Sequence, residues 1–153
     1  MAALVYLETA RKRNWQKSAL HSEVIRPGKG VVARDTLHSR TDNQSLVRLK
    51  LKELARILCL TSVQDGAIRP GMSVTVLTSD AGVYETYNAY KTELQTGIKS
   101  IIRNRDLCEI IYRAETERGY LLQFDGVGML TSAMRQAAYE YLNAEMDKEI
   151  GGD

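Results

Sequence analysis

Cysteine, proline, histidine and two of the three aromatic types are scarce in this chain: two Cys, two Pro, two His, one Trp and one Phe in 153 residues. Two thiols are too few for a disulfide framework, and a chain of this length, which buries roughly 70% of its unfolded surface, needs none. Cys59 and Cys108 are therefore expected as reduced core thiols. The only histidines, His21 and His38, lie in polar basic surroundings and at no metal-ligand spacing with each other or with a cysteine. No apolar run approaches the ~20 residues that span a bilayer, so no membrane partner is expected. The start, MAALVYLETARKR, places apolar before basic residues, the reverse of a secretory signal. A location in the cytoplasm or within a virion is the corresponding expectation. Nucleotide loops are missing too: Gly126 and Gly128 do not complete a G-x-G-x-x-G, because position 131 is Thr, and no turn ends in Lys-Ser/Thr. Neither a nucleophile elbow nor a comparable catalytic signature is present. A carboxylate pair can be assembled at will from Glu85, Glu93, Glu109, Glu115 and Asp125, so that possibility carries no weight. No cofactor and no metal are expected.

What is abundant is charge, unevenly spread. Residues 1–60 carry 12 Lys+Arg against 5 Asp+Glu, a net +7, and residues 61–153 carry 9 against 14, a net −5. Such asymmetry either marks an electropositive partner-binding face or is neutralised within the fold.

The densest apolar segment is Leu46–Leu60, LVRLKLKELARILCL. On a helical wheel Val47, Leu51, Leu54, Ala55 and Leu58 share a face, while Arg48, Lys52 and Arg56 form an i, i+4 row. Val47, Leu49 and Leu51 also alternate with Arg48, Lys50 and Lys52, which is strand periodicity. The Leu-, Lys-, Arg-, Glu- and Ala-rich composition favours the helix, with Thr41/Gln44 at capping-box spacing and Ser45 as a second cap.

The same four residues, Ile-Arg-Pro-Gly, flank this helix at 25–28 and 68–71, and they contain both prolines. Pro at the second and Gly at the third turn position is type II chemistry. The first joins two short strands and the second leads into a strand at 73–78. A degenerate duplication, with Leu4–Leu7 echoing Leu46–Leu49, is one reading of the pair and coincidence the other.

Elsewhere, residues 2–8 begin a helix or form a strand, and 9–21 read as a basic helix or arm anchored by Trp15. Residues 35–45 read as a loop. Val83, Tyr87, Tyr90, Leu94, Ile98 and Ile101 step as one helical face over 83–103, capped by Ser79 or Asp80. Residues 108–114 and 120–124 read as a β-hairpin. A final helix over 129–149 presents Leu130, Met134, Ala137 and Tyr141, with Ala133, Ala138 and Leu142 alongside. Capping accounts for the turns at 78–82 and 125–128 better than anion binding, since each carries an Asp.

The fold class is α+β: a single domain over 1–153 with a small, mostly antiparallel sheet, two long C-terminal helices and a central basic amphipathic helix. Residues 1–21 are a basic N-terminal arm or helix and 150–153 a tail. The absence of catalytic motifs and the charge asymmetry lead to an expectation of no enzyme. They favour an assembly protein that forms homo-oligomers, of the kind found as structural subunits in viral or phage particles. Nucleic-acid binding is the alternative, through a basic face of Arg11, Lys12, Arg13, Trp15, Lys17, Arg26, Lys29, Arg48, Lys52 and Arg56. A small enzyme without a recognisable motif is the third reading. Copies of itself are the first expected partner and nucleic acid the second.

Overall fold

A computed structural model describes residues 2–12, 17–39, 45–59, 68–99, 101–126 and 131–151. Five strands and four helices follow in the order β1 (Ala2–Lys12), β2 (Lys17–Arg26), β3 (Gly30–Ser39), α1 (Leu46–Cys59), β4 (Ser73–Leu77), α2 (Ala81–Thr96), α3 (Arg105–Arg118), β5 (Leu121–Asp125) and α4 (Thr131–Gly151). The strands form one mixed sheet in the order β3-β2-β1-β4-β5. The first three make an antiparallel meander. β4 returns parallel to β1, and β5 parallel to β4, each after a helical crossover. The α+β class holds, with antiparallel and parallel pairings in equal number.

Why these segments adopt these forms is local physics. The β2–β3 turn carries a bond from the Lys29 N–H to the Arg26 carbonyl at 2.9 Å, with Gly28 at φ +86°, the expected type II geometry. The second Pro-Gly behaves alike: the Met72 N–H donates to the Arg69 carbonyl at 3.2 Å, and Gly71 has φ +82°. The resemblance ends there, because Leu4–Leu7 is strand and Leu46–Leu49 helix. The two turns are similar local solutions rather than marks of a repeat.

α1 is the helix its composition favours. The Ser45 hydroxyl accepts from the Arg48 N–H at 3.0 Å, so Ser45 is the cap in use. Thr41 and Gln44 lie outside the described residues. Leu51, Leu54, Ala55, Ile57 and Leu58 pack with Ala3, Val5, Leu7, Val74 and Val76 on one face of the sheet. α4 covers the other face, with Met134 against Tyr6 and Leu77, and Ala138 and Leu142 against Ala19. Ala133, expected in that face, is exposed.

Four expectations are corrected. Residues 2–8 take the strand alternative, and most of 9–21, read as a helix or arm, completes the long β1–β2 hairpin; alternation of Ala3, Val5 and Leu7 with Leu4, Tyr6 and Glu8 feeds both faces of the sheet. Residues 35–39 are the end of β3 rather than loop. Residues 108–114 belong to helix α3, where Leu107, Cys108, Ile111 and Ala114 are buried at helical spacing. The stretch read as a hairpin turn is the last turn of α3, closed by Gly119 at φ +69°. The 83–103 helix also stops early. Gly97 ends it in the left-handed conformation, leaving Ile98 and Ile101 exposed.

Cys108 is buried as expected, whereas Cys59 is exposed and not a core thiol; burial pushes the Cys108 thiol up to about 11 from 9.0. The unfolded chain ionises this thiol first, so the native state binds more protons between those values. Stability is fully present below pH 9 and falls by about 2–3 kcal/mol as pH rises through 11. Cys108→Ala, compared with the wild type by urea unfolding at the two ends of that window, should show a shallower alkaline loss.

Candidate functional site

The parallel pairing of β1 with β4 brings two strand ends together, the place where open sheets with helical crossovers most often bind ligands. Tyr6 pairs with Leu77, which sets Glu8 opposite Ser79 just beyond the end of β4. Glu8 is fully buried. Both its carboxylate oxygens are occupied, one accepting from the Ser79 N–H and the other from the Ser79 hydroxyl, each at 2.7 Å. The next residue, Asp80, caps α2: its Oδ1 accepts from the Gly82 N–H at 2.9 Å. Its Oδ2 lies 3.8 Å from the Nζ of Lys50, which projects from α1.

Lys50 is 2% exposed, an unusual state for a lysine. Burial lowers its pKa, the charges of Glu8 and Asp80 raise it, and the charge of Arg135 on α4 lowers it again. The close approach of α1 depends on Gly82: a Cβ there would stand 2.8 Å from Val47 Cγ2 and 3.0 Å from Asp80 Oδ1. Four elements, β1, α1, the β4–α2 turn and α4, thus contribute to a cluster of two carboxylates and two cations that is electrically balanced.

On the same sheet face, the cluster continues into β2 and β3. His21, paired with Glu8 in the hairpin register, contacts Thr36 Oγ1 at 2.6 Å through Nδ1 and Glu23 at 2.9 Å through Nε2. Arg34 reaches Glu23 from the exposed side at 3.3 Å.

The ten basic-face candidates do not form one surface. Arg11, Lys12 and Lys17 sit at the hairpin end that also carries Glu8, with Arg11 three residues and so about 10 Å beyond it. Arg13 and Trp15 lie outside the described residues. Arg26 and Lys29 are at the opposite end of β2, about 30 Å away by strand rise. There they line a pocket with Ala2, Pro27, Met72 and Ser73. The row on α1 is engaged with acids. Arg48 bonds Asp106 at 2.9 Å and 3.1 Å and Asn104 at 3.0 Å, and Arg56 bonds Glu53 and, at 3.2 Å, Asp35; Lys52 is exposed. Glu8, Lys50, Asp80 and Arg135 were not among the candidates. A lone acid inside the apolar run LVYLET was the one available sign, and Asp80 was visible only as a cap.

The sequence matches no protein-family model and no curated protein. The fold, in contrast, is that of RNase H domains. LC11-RNase H1, solved in complex with an RNA/DNA hybrid, superposes with a TM-score of 0.60 at 11% identity, over 92% of this chain and 98% of its own. The foamy viral protease-reverse transcriptase, solved with dsDNA, gives 0.62 at 11% identity over 91% of this chain and 90% of its own. RNase H1 of the halophilic archaeon Halobacterium salinarum gives 0.52 at 17% identity, over 94% and 99%.

These neighbours overturn the expectation of a non-enzymatic assembly protein and with it the self-assembling, virion-subunit reading. These three structures, which share the architecture over nearly the whole chain, are two RNases H1 and a protease-reverse transcriptase. The charge asymmetry behind that expectation has an internal explanation. Arg48–Asp106 and Lys50–Asp80 pair the basic first part of the chain with the acidic second part inside one molecule.

Nucleases often work through two metal ions held by carboxylates, and the residues at this strand-end site do not fit such ions. Among the described residues no group of three or more Asp, Glu, His or Cys side chains is placed to hold a metal. Glu8 is tied to Ser79 through both oxygens, and the second oxygen of Asp80 lies 3.8 Å from an ammonium. A unit positive charge about 4 Å from a cation opposes it by about 4 kcal/mol at an effective dielectric of ~20. The cluster sets a buried lysine amine beside Asp80, with Glu8 held on the adjacent Ser79.

Proposed function

We propose that this protein is an enzyme of the RNase H fold that acts on duplex nucleic acid, with an RNA/DNA hybrid as its first candidate substrate. The strand would lie across the ends of β1 and β4. The observation that carries this reading is the coincidence of the fold with the polar cluster at its parallel strand ends. Arg11 and Lys17 stand at the same end, where they would meet phosphates, and Asp80, the least buried of the carboxylates there, would face the strand.

The test is a binding and cleavage series with RNA/DNA hybrid, dsDNA, dsRNA and single strands over a range of salt. Duplex affinity should fall linearly on a log–log plot, with a slope of about −0.9 per phosphate neutralised. Charge reversal of Arg11 and Lys17 together should flatten that slope by about 2. Strand cleavage, followed by product length, should disappear in Asp80→Asn while binding persists. A chain that binds no duplex at low salt would remove the reading. Binding with intact strands would confine the function to recognition of the duplex.

A further inference from the structure

The disagreement between the fold and the metal chemistry has a single residue at its centre. We propose that the Lys50 ammonium, 3.8 Å from Asp80 at the β1–β4 strand ends, takes the place of a cation there, so that this site takes no divalent metal, and that a carboxylate at position 50 would turn it into a metal site. The inference rests on the proposed reading only for the role of the site; its geometry stands independently.

Three observations support it. Lys50 is as buried as the core leucines around it, yet it projects toward a carboxylate 3.8 Å away. A lysine is retained in such a place when its charge is compensated, and Glu8 and Asp80 compensate it. Glu8, Lys50 and Asp80 come from three different elements whose approach is fixed by the backbone: the β1–β4 register, the turn at Asp80, and the Gly82–Val47 contact. Replacing the ammonium by a carboxylate would set a second acid beside Asp80, with Glu8 held on the adjacent Ser79. Divalent cations such as Mg²⁺ and Mn²⁺ are held by oxygen sets of that kind.

The experiment uses the full chain, titrated with Mg²⁺ and with Mn²⁺ and followed by thermal unfolding and calorimetry. Binding at about 100-fold over its dissociation constant raises the melting temperature of a domain of this size by about 5–10 °C. The wild type should show no such rise, and Lys50→Glu should show it and lose it again when Asp80→Asn is added. Should Lys50→Glu fold only when Mn²⁺ is present, that is the same result in stronger form. Should it fail to fold at all, Lys50→Gln, which offers an amide oxygen instead of the ammonium, should gain a weaker Mn²⁺ response than expected for Glu but one the wild type lacks. A metal-dependent rise in the wild type that Asp80→Asn abolishes would overturn the proposal, as would silence of every folded position-50 variant. Duplex binding in EDTA is read on the same samples. Its loss in all conditions would defeat the proposed function and leave the metal result standing.

Discussion

Arg56→Ala should lower the unfolding free energy by about 3 kcal/mol, far more than a half-exposed surface arginine ordinarily carries. The reason is the partner it leaves behind. Glu53 lies on the inner face of α1 with its side chain 1% exposed, held by Arg56 and by the Ser22 hydroxyl at 3.2 Å. Arg56, 45% exposed, stands at the edge and also reaches Asp35 on β3. Removing the outer member strands a buried carboxylate, whereas removing the inner one returns the arginine to water. Glu53→Leu alone should therefore cost less than Arg56→Ala, and the double variant should recover most of the loss, since a well-packed apolar pair often replaces a buried ion pair without penalty. Urea unfolding of the three variants closes the cycle. Equal, small effects of both single substitutions would show that the pair is solvated and that Arg56 is available to a partner. The expected asymmetry places Arg56 in the fold's own electrostatics and takes it out of any nucleic-acid surface.

The same contrast explains what could and could not be read in advance. α1, both Pro-Gly turns, β4 and the Asp80 cap are set by short-range preferences: Leu-rich helical spacing, Pro and Gly at fixed turn positions, an Asp before a helix. These appear in the sequence because their causes lie within a few residues. The β1–β2 hairpin was ambiguous because Ala2–Leu7 is apolar on both sides, as a strand covered by α1 on one face and α4 on the other must be. α3 was misread because Ile110, Ile111 and Tyr112 look like a strand when taken singly; only the 107, 108, 111, 114 spacing of its buried face reveals a helix. The site was the least legible part. Glu8 and Asp80 are 72 positions apart, and Lys50 belongs to a helix whose basic residues form an obvious ridge. That ridge drew attention to Arg48, Lys52 and Arg56, while the lysine that matters to the cluster is on the other side of the helix. Nothing local distinguishes a buried lysine from an exposed one. The difference is made by a glycine at position 82 and by a strand register, both of which exist only once the chain has folded.

Glu8→Ala should be among the most damaging single changes in the protein, at about 3–5 kcal/mol. It removes a fully buried acceptor of two 2.7 Å bonds, so the Ser79 N–H and hydroxyl lose their partner at the strand end. It also withdraws one of the two negative charges that offset the Lys50 ammonium. Glu8→Gln keeps one acceptor oxygen and the shape, and should fall between the two. Lys50→Met fills a similar volume but leaves the charges of Glu8 and Asp80 without their ammonium, so it should cost about 2 kcal/mol, less than Glu8→Ala because burial already disfavours the charged amine. The order Glu8→Ala, Glu8→Gln, Lys50→Met in falling cost is the expected outcome of equilibrium unfolding. It would identify Glu8 as the anchor of the β1–β4 junction. Were Glu8→Ala instead to stabilise the chain, the carboxylate would be held against stability, as groups kept for chemistry commonly are. The cluster would then be strained by design, and the place to seek its substrate would be Glu8 itself, not the more exposed Asp80.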